Sequence, residues 1–112
     1  MPLDYTKTNN IVIVYLTGRI DVLQSKYLDR ELERLIDMES GSNVLFNMAG
    51  VEYVNSFGLK VIVKTFITLN KSGRKFAVCN INNAVRKLFE IIGNVDIFEI
   101  FDSESSAIEY LK

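Results

Sequence analysis

The sequence predicts an α/β domain: a mixed, mostly parallel sheet of about five strands with about four helices, in the order β-β-α-β-α-β-α-β-α. Three observations predict it. Short β-branched and aromatic runs alternate with segments whose apolar residues recur at helical spacing, which implies right-handed crossovers between parallel strands. The first two apolar segments are parted only by Asn9–Asn10, a turn signal, so one antiparallel pairing opens the sheet. The 112 residues suffice for one core without disulfides or metals, and no internal repeat, low-complexity tract or linker divides them. A single domain over 1–112 is expected.

The elements follow in order. "LDYTK" alternates apolar and polar residues, as a short edge strand does. "IVIVYLT" (Ile11–Thr17) is apolar throughout, so this strand is expected to be buried on both faces. "TGRID" leads into a helix, with Asp21 as N-cap and Gln24 three residues on, the spacing of a capping box. Leu28, Leu32, Leu35 and Ile36 give that helix one apolar face, and "SGSN" ends it. "VLFNM" is a short strand followed by a loop through Gly50, with "VEYV" extending or flanking it. Leu59, Ile62, Val63, Phe66 and Leu69 mark a second helix that stops near Ser72–Gly73. "RKFAVC" is the next strand. Asn82 or Asn83 caps a third helix, with Val85, Leu88, Phe89 and Ile92 inward and Gly93 just past its end. "IFEIF" is the last strand, and Asp102 or Ser103 caps a final helix carrying Ala107, Ile108 and Leu111.

Composition excludes several functions. With 48% hydrophobic and 24% charged residues and one proline, the chain is ordered and globular. A net charge of -1 argues against a nucleic-acid binder. The charge is uneven, however. Tyr53 to Phe89 holds seven bases (Lys60, Lys64, Lys71, Arg74, Lys75, Arg86, Lys87) and no acid, while from Glu90 onward six acids face Lys112 alone. Solvated helix faces account for most such charge, and an acidic partner or a bound phosphate is the alternative.

There is no histidine, which removes Ser-His-Asp and Cys-His catalysis, histidine metal sites and phosphohistidine relays. Cys79 is the only cysteine; it cannot form an intrachain disulfide or a zinc cluster, and "FAVC" makes it a buried structural thiol. Neither GxGxxG nor GxxxxGK[ST] occurs, and the acids Asp21, Glu52 and Asp102 are scattered rather than paired. No enzyme, cofactor or metal is expected. The N-terminus lacks a basic start and an apolar h-region, and no apolar run approaches the roughly 18–20 residues of a membrane span. A cytoplasmic protein that does not enter the membrane is the expectation.

One stretch stands out, "VEYVNSFGLKVIV" (Val51–Val63). Asn55 ends an extended segment and suits an N-cap, leaving Ser56 as the first helical residue at the positive end of the helix dipole. A phosphate is well accommodated at such a place. The plainer reading is a strand-to-helix turn in which Asn55 caps and Gly58 relieves crowding. Helical spacing puts Phe57 and Val61 on a face beside the core face, near Ser56, with Lys60, Lys64 and Lys71 close to it. Exposed, they would form a small contact site; the other reading folds Phe57 under a loop and sets Val61 on the sheet.

These segments, in this order, resemble the STAS domain of bacterial anti-sigma factor antagonists. "VYLTGRID" is similar to a family strand ending in an LTG-E-LD-like turn, with Asp21 on its aspartate. "NVLFNMAGVEYVNSFGLKVIV" is similar to the signature in which an apolar strand with a central Asn or Asp, here Asn47, leads to hxxhDSSG-L, here "YVNSFGL". "GRKFAVCNINNAVRKLFEIIGNVDIFEIF" resembles the family's closing segment down to a glycine helix stop. The resemblance implies partner switching. Ser56 would be phosphorylated by an anti-sigma factor that is also a serine protein kinase; the unmodified antagonist binds that kinase and frees a sigma factor, and a phosphoserine phosphatase restores it. Asp21, Asn55, Ser56, Phe57, Gly58, Lys60, Val61 and Lys64 would make up the partner-binding edge. Two residues depart from the pattern: Asn55 stands for the usual aspartate, keeping the cap without its charge, and Phe57 stands for a small hydroxyl residue. The alternative is a phosphorylation-independent scaffold or sensory module that binds a protein or, weakly, a nucleotide or other anion.

Overall fold

The computed structural model describes residues 3–92 and 99–112. The expected Gly93 stop, the inward side chain of Ile92 and the first part of "IFEIF" lie outside the described residues. Among the described residues nine elements are present: β1 (Asp4–Thr8), β2 (Ile11–Ile20), α1 (Val22–Met38), β3 (Asn43–Val54), α2 (Ser56–Lys71), β4 (Phe76–Cys79), α3 (Asn83–Ile92), β5 (Glu99–Phe101) and α4 (Glu104–Leu111). The strands lie in sequence order, β1-β2-β3-β4-β5. β1 pairs antiparallel with β2 through a turn in which Asn9 takes φ 53, and every other neighbour is parallel.

The continuous apolar run of β2 is explained by two cores. Val12, Val14 and Leu16 face a cluster shared with α1, α2 and α3, built from residues such as Leu32, Ile62 and Phe89. Ile11 and Ile13 face the opposite side, where Ala107 and Leu111 of α4 meet Leu45 and Cys79. Alternation thus exists but is masked, because both faces of the central strands are covered. β1 is exposed along its length, as the polar half of "LDYTK" requires of an edge.

The structure differs from expectation at β3. The expected loop through Gly50 is instead part of one strand from Asn43 to Val54. β2 likewise continues past Thr17 to Ile20, and the two extensions pair as Thr17↔Gly50, Gly18↔Val51, Arg19↔Tyr53 and Ile20↔Val54. Register shifts between Tyr15 and Thr17 and between Gly18 and Arg19 accommodate the mismatch. Gly50 is needed for close approach rather than for a turn, since a Cβ there would stand 2.8 Å from Thr17 Cγ2.

Side chains close the remaining joints. Arg74 donates from Nε to Ser42 O (2.6 Å), from Nη1 to Ile36 O (3.3 Å) and from Nη2 to Glu39 O (3.0 Å), collecting the carbonyls around the end of α1. Of the two cap candidates for α3 it is Asn82 that accepts from Val85 N at 2.8 Å, and its amide donates to Val51 O and Glu52 O, fastening α3 to the far end of β3. Ser103, not Asp102, caps α4, accepting from Ser106 N at 3.2 Å.

Candidate functional site: two adjoining helix N-termini

β2 and β3 are parallel neighbours and end together, so the helices that follow them start side by side. Both starts use the same device. Asp21 is extended and accepts from Gln24 N at 3.0 Å; Asn55 is extended and accepts from Gly58 N at 2.9 Å. Each side chain satisfies an amide that the first helical turn cannot pair internally. The two starts are joined by Asn55 N–H, which donates to Ile20 O at 3.1 Å.

Ser56 is the first residue of α2 and is exposed, and its hydroxyl meets no hydrogen-bond partner among the described residues. What the arrangement offers is an exposed hydroxyl at a helix start. Gly58 is buried behind it: a Cβ there would come within 2.8 Å of both Ile20 Cγ2 and Val54 Cγ1. The crowding that Gly58 relieves is that of a close helix-to-sheet approach.

The flanking residues divide. Phe57 is 49% exposed, and Lys60 Nζ stands 5.5 Å from its ring centroid, within cation–π range. Val61 does not share that exposure. It is buried in the main core cluster, because α1 packs against α2 along this side. Lys64 reaches across the same seam and binds Asp29 of α1 at 3.0 and 3.2 Å, which raises its pKa, so its ammonium is already paired at the surface of that seam. Lys71 lies in the last turn of α2, roughly 22 Å along the axis from Ser56 at 1.5 Å per residue.

Sequence reasoning missed three residues on the segments that lead into these helices or open them: the pair Arg19 and Tyr53, and Leu23. Arg19 Cζ lies 4.8 Å from the ring centroid of Tyr53, its cross-strand partner, and Tyr53 is 42% exposed. Leu23, in the first turn of α1, is 75% exposed. The signal for the first pair lay in reading "VEYV" as a continued strand that sends Tyr53 outward beside Asn55.

Cys79 is fully buried and its thiol pKa is pushed up to about 11, by burial first and by Glu104 second. Among the described residues no group of His, Cys, Asp and Glu could hold a metal ion, and no helix is long and apolar enough to cross a membrane.

Among the described residues, five strands in sequence order with two capped helix starts side by side define an α/β domain that presents an exposed serine at one of those starts. The chain belongs to the STAS domain family, whose model matches residues 2–107. It is similar to the anti-sigma F factor antagonist of Paenibacillus polymyxa, 26% identical over 102 residues that make up 91% of this chain and 87% of that one. It is also similar to the anti-sigma-B factor antagonist of Bacillus subtilis, 29% identical over 107 residues, 96% of each chain. The crystal structure of an anti-sigma factor antagonist from Mycobacterium paratuberculosis has the same fold, with TM-score 0.87 at 20% identity over 97% of this chain and 92% of that one.

Proposed function

We propose that this chain, as a single STAS domain, is a non-enzymatic anti-sigma factor antagonist whose binding is switched at Ser56. The observation that carries the reading is the exposed, unpartnered Ser56 hydroxyl at the Asn55-capped start of α2. The partner is an anti-sigma factor with serine kinase activity. It transfers the γ-phosphoryl group of ATP to Ser56 Oγ: the new P–O bond forms as the bond to ADP breaks, and the hydroxyl proton is released. A phosphatase hydrolyses the ester to reset the switch. The phosphate adds about −1.5 to −2 charges where outward-pointing amides and the helix dipole accept them. The same dianion, at the centre of a protein contact, must be desolvated, and that cost breaks the contact.

The test is incubation with the kinase, ATP and Mg²⁺ followed by mass spectrometry, with single phosphorylation at Ser56 expected. If Ser56 stays unmodified while the kinase acts on another substrate, the reading fails. In binding assays Ser56→Asp weakens the kinase complex by more than about tenfold and Ser56→Ala does not.

The neutral Asn55 favours one second reading, a phosphorylation-independent scaffold or sensory module. Saturable micromolar binding of a nucleoside triphosphate in calorimetry, without any kinase, would support that instead.

A further inference from the structure

Between the N-terminal parts of α1 and α2, along Ser25–Asp29 and Phe57–Lys64, lies a hollow of about 220 Å³. Exposed Phe57 and the edge of the buried Val61 give it an apolar lining, Lys26, Lys60 and Lys64 stand around it, and Ser25 and Asp29 complete it from α1. The three ammonium groups are not equivalent. Lys64 is answered by Asp29 at 3.0 Å and Glu33 at 4.0 Å. Lys60 stands over the Phe57 ring, and neither it nor Lys26 meets a carboxylate among the described residues. Two uncompensated cations therefore flank an apolar strip that begins at Phe57, the residue after Ser56. A bare anion would use the cations and waste the apolar strip. A purely apolar segment would strip water from Lys26 and Lys60 with nothing to replace it.

We propose that this hollow receives an acidic segment of the protein partner with an apolar centre: an apolar side chain against Phe57 and Val61, and carboxylates on Lys26 and Lys60. The inference rests on the partner-switching reading above and gives that switch its means. Ser56 and Lys60 are four residues apart on α2, the spacing at which helical side chains pair. A phosphate on Ser56 draws the Lys60 ammonium away from the Phe57 ring, neutralises the cation the partner needs and repels its carboxylates.

Calorimetry of the purified anti-sigma kinase against four chains tests the docking: wild type, Lys26→Glu, Lys60→Glu and, on α3, Lys87→Glu. The two hollow variants are expected to bind at least about tenfold more weakly and the α3 variant within about twofold of wild type. Wild-type affinity for both hollow variants overturns the inference and leaves the switch standing, whereas no binding by the wild-type chain removes both. The competition is read separately on chain carrying phosphoserine at 56, by ³¹P NMR titration, where Lys60→Gln is expected to raise the second phosphate pKa by about 0.2–0.4. An unchanged value overturns the competition.

Discussion

Gly58 sits so close to Ile20 that a methyl group added to its backbone would stand 2.8 Å from Ile20 Cγ2, with Val54 Cγ1 equally near. One glycine thus sets how deeply the start of α2 seats on the ends of β2 and β3, and with it the position of Ser56 two residues earlier. Gly58→Ala gains helix propensity of about 1 kcal/mol but must displace two packed γ-methyl groups, which costs about 1–3 kcal/mol. Net destabilisation by up to about 2 kcal/mol is expected in urea unfolding. Stability at or above wild type would show that α2 can lift freely.

Asn55 caps the same helix from outside. Asn55→Ala removes the acceptor for Gly58 N and is expected to cost about 1 kcal/mol. Asn55→Asp keeps the acceptor and adds a negative charge at the positive end of the dipole, a gain of about 0.3–1 kcal/mol at neutral pH and low salt. Denaturant midpoints at two salt concentrations separate the two effects, since only the second is screened.

Arg74 spends its guanidinium on three carbonyls around the C-terminal end of α1, and burial there lowers its pKa. Arg74→Ala leaves those acceptors to whatever water can reach them, and a loss of about 2–3 kcal/mol is expected. Arg74→Lys recovers little of it, because one ammonium cannot span the three positions its planar fork reaches. Full recovery by lysine in thermal unfolding would contradict this.

Cys79 carries a pH dependence of defined sign. Its folded pKa of about 11 lies above the ordinary 9.0, so the folded state holds the proton more tightly than the unfolded one. The resulting stability is fully present below pH 9.0 and is lost as pH rises towards 11, by roughly 2–3 kcal/mol. Cys79→Ala should flatten that alkaline decline in unfolding scans. At pH 8 the native thiol should also resist aromatic disulfide reagents until denaturant is added.

The site was partly legible in the chain. Asp21, Asn55 and Ser103 are small polar residues placed just before helical periodicity, and each caps in the structure as its side chain dictates. Phe57 could be placed beside Ser56 by spacing along one helix. Val61 could not, because helical spacing defines faces without saying which other helix covers them; α1 covers this one. Gly50 misled for a related reason. Glycine marks turns and close backbone approaches alike, and only the position of Thr17 on the neighbouring strand separates the two.

By itself the sequence determined the alternation of strands and helices, the antiparallel opening pair, the helix caps and the serine at a helix start. These follow from interactions among residues a few positions apart. Tertiary structure decided what depends on distant segments: the joint extension of β2 and β3, the seating of Gly58 against Ile20, the capture of Lys64 by Asp29 and the Arg19–Tyr53 pair. The number of free cations around the hollow between α1 and α2 belongs to that second group. Charge can be counted along a chain, but whether a charge is already paired is a property of the packed helices.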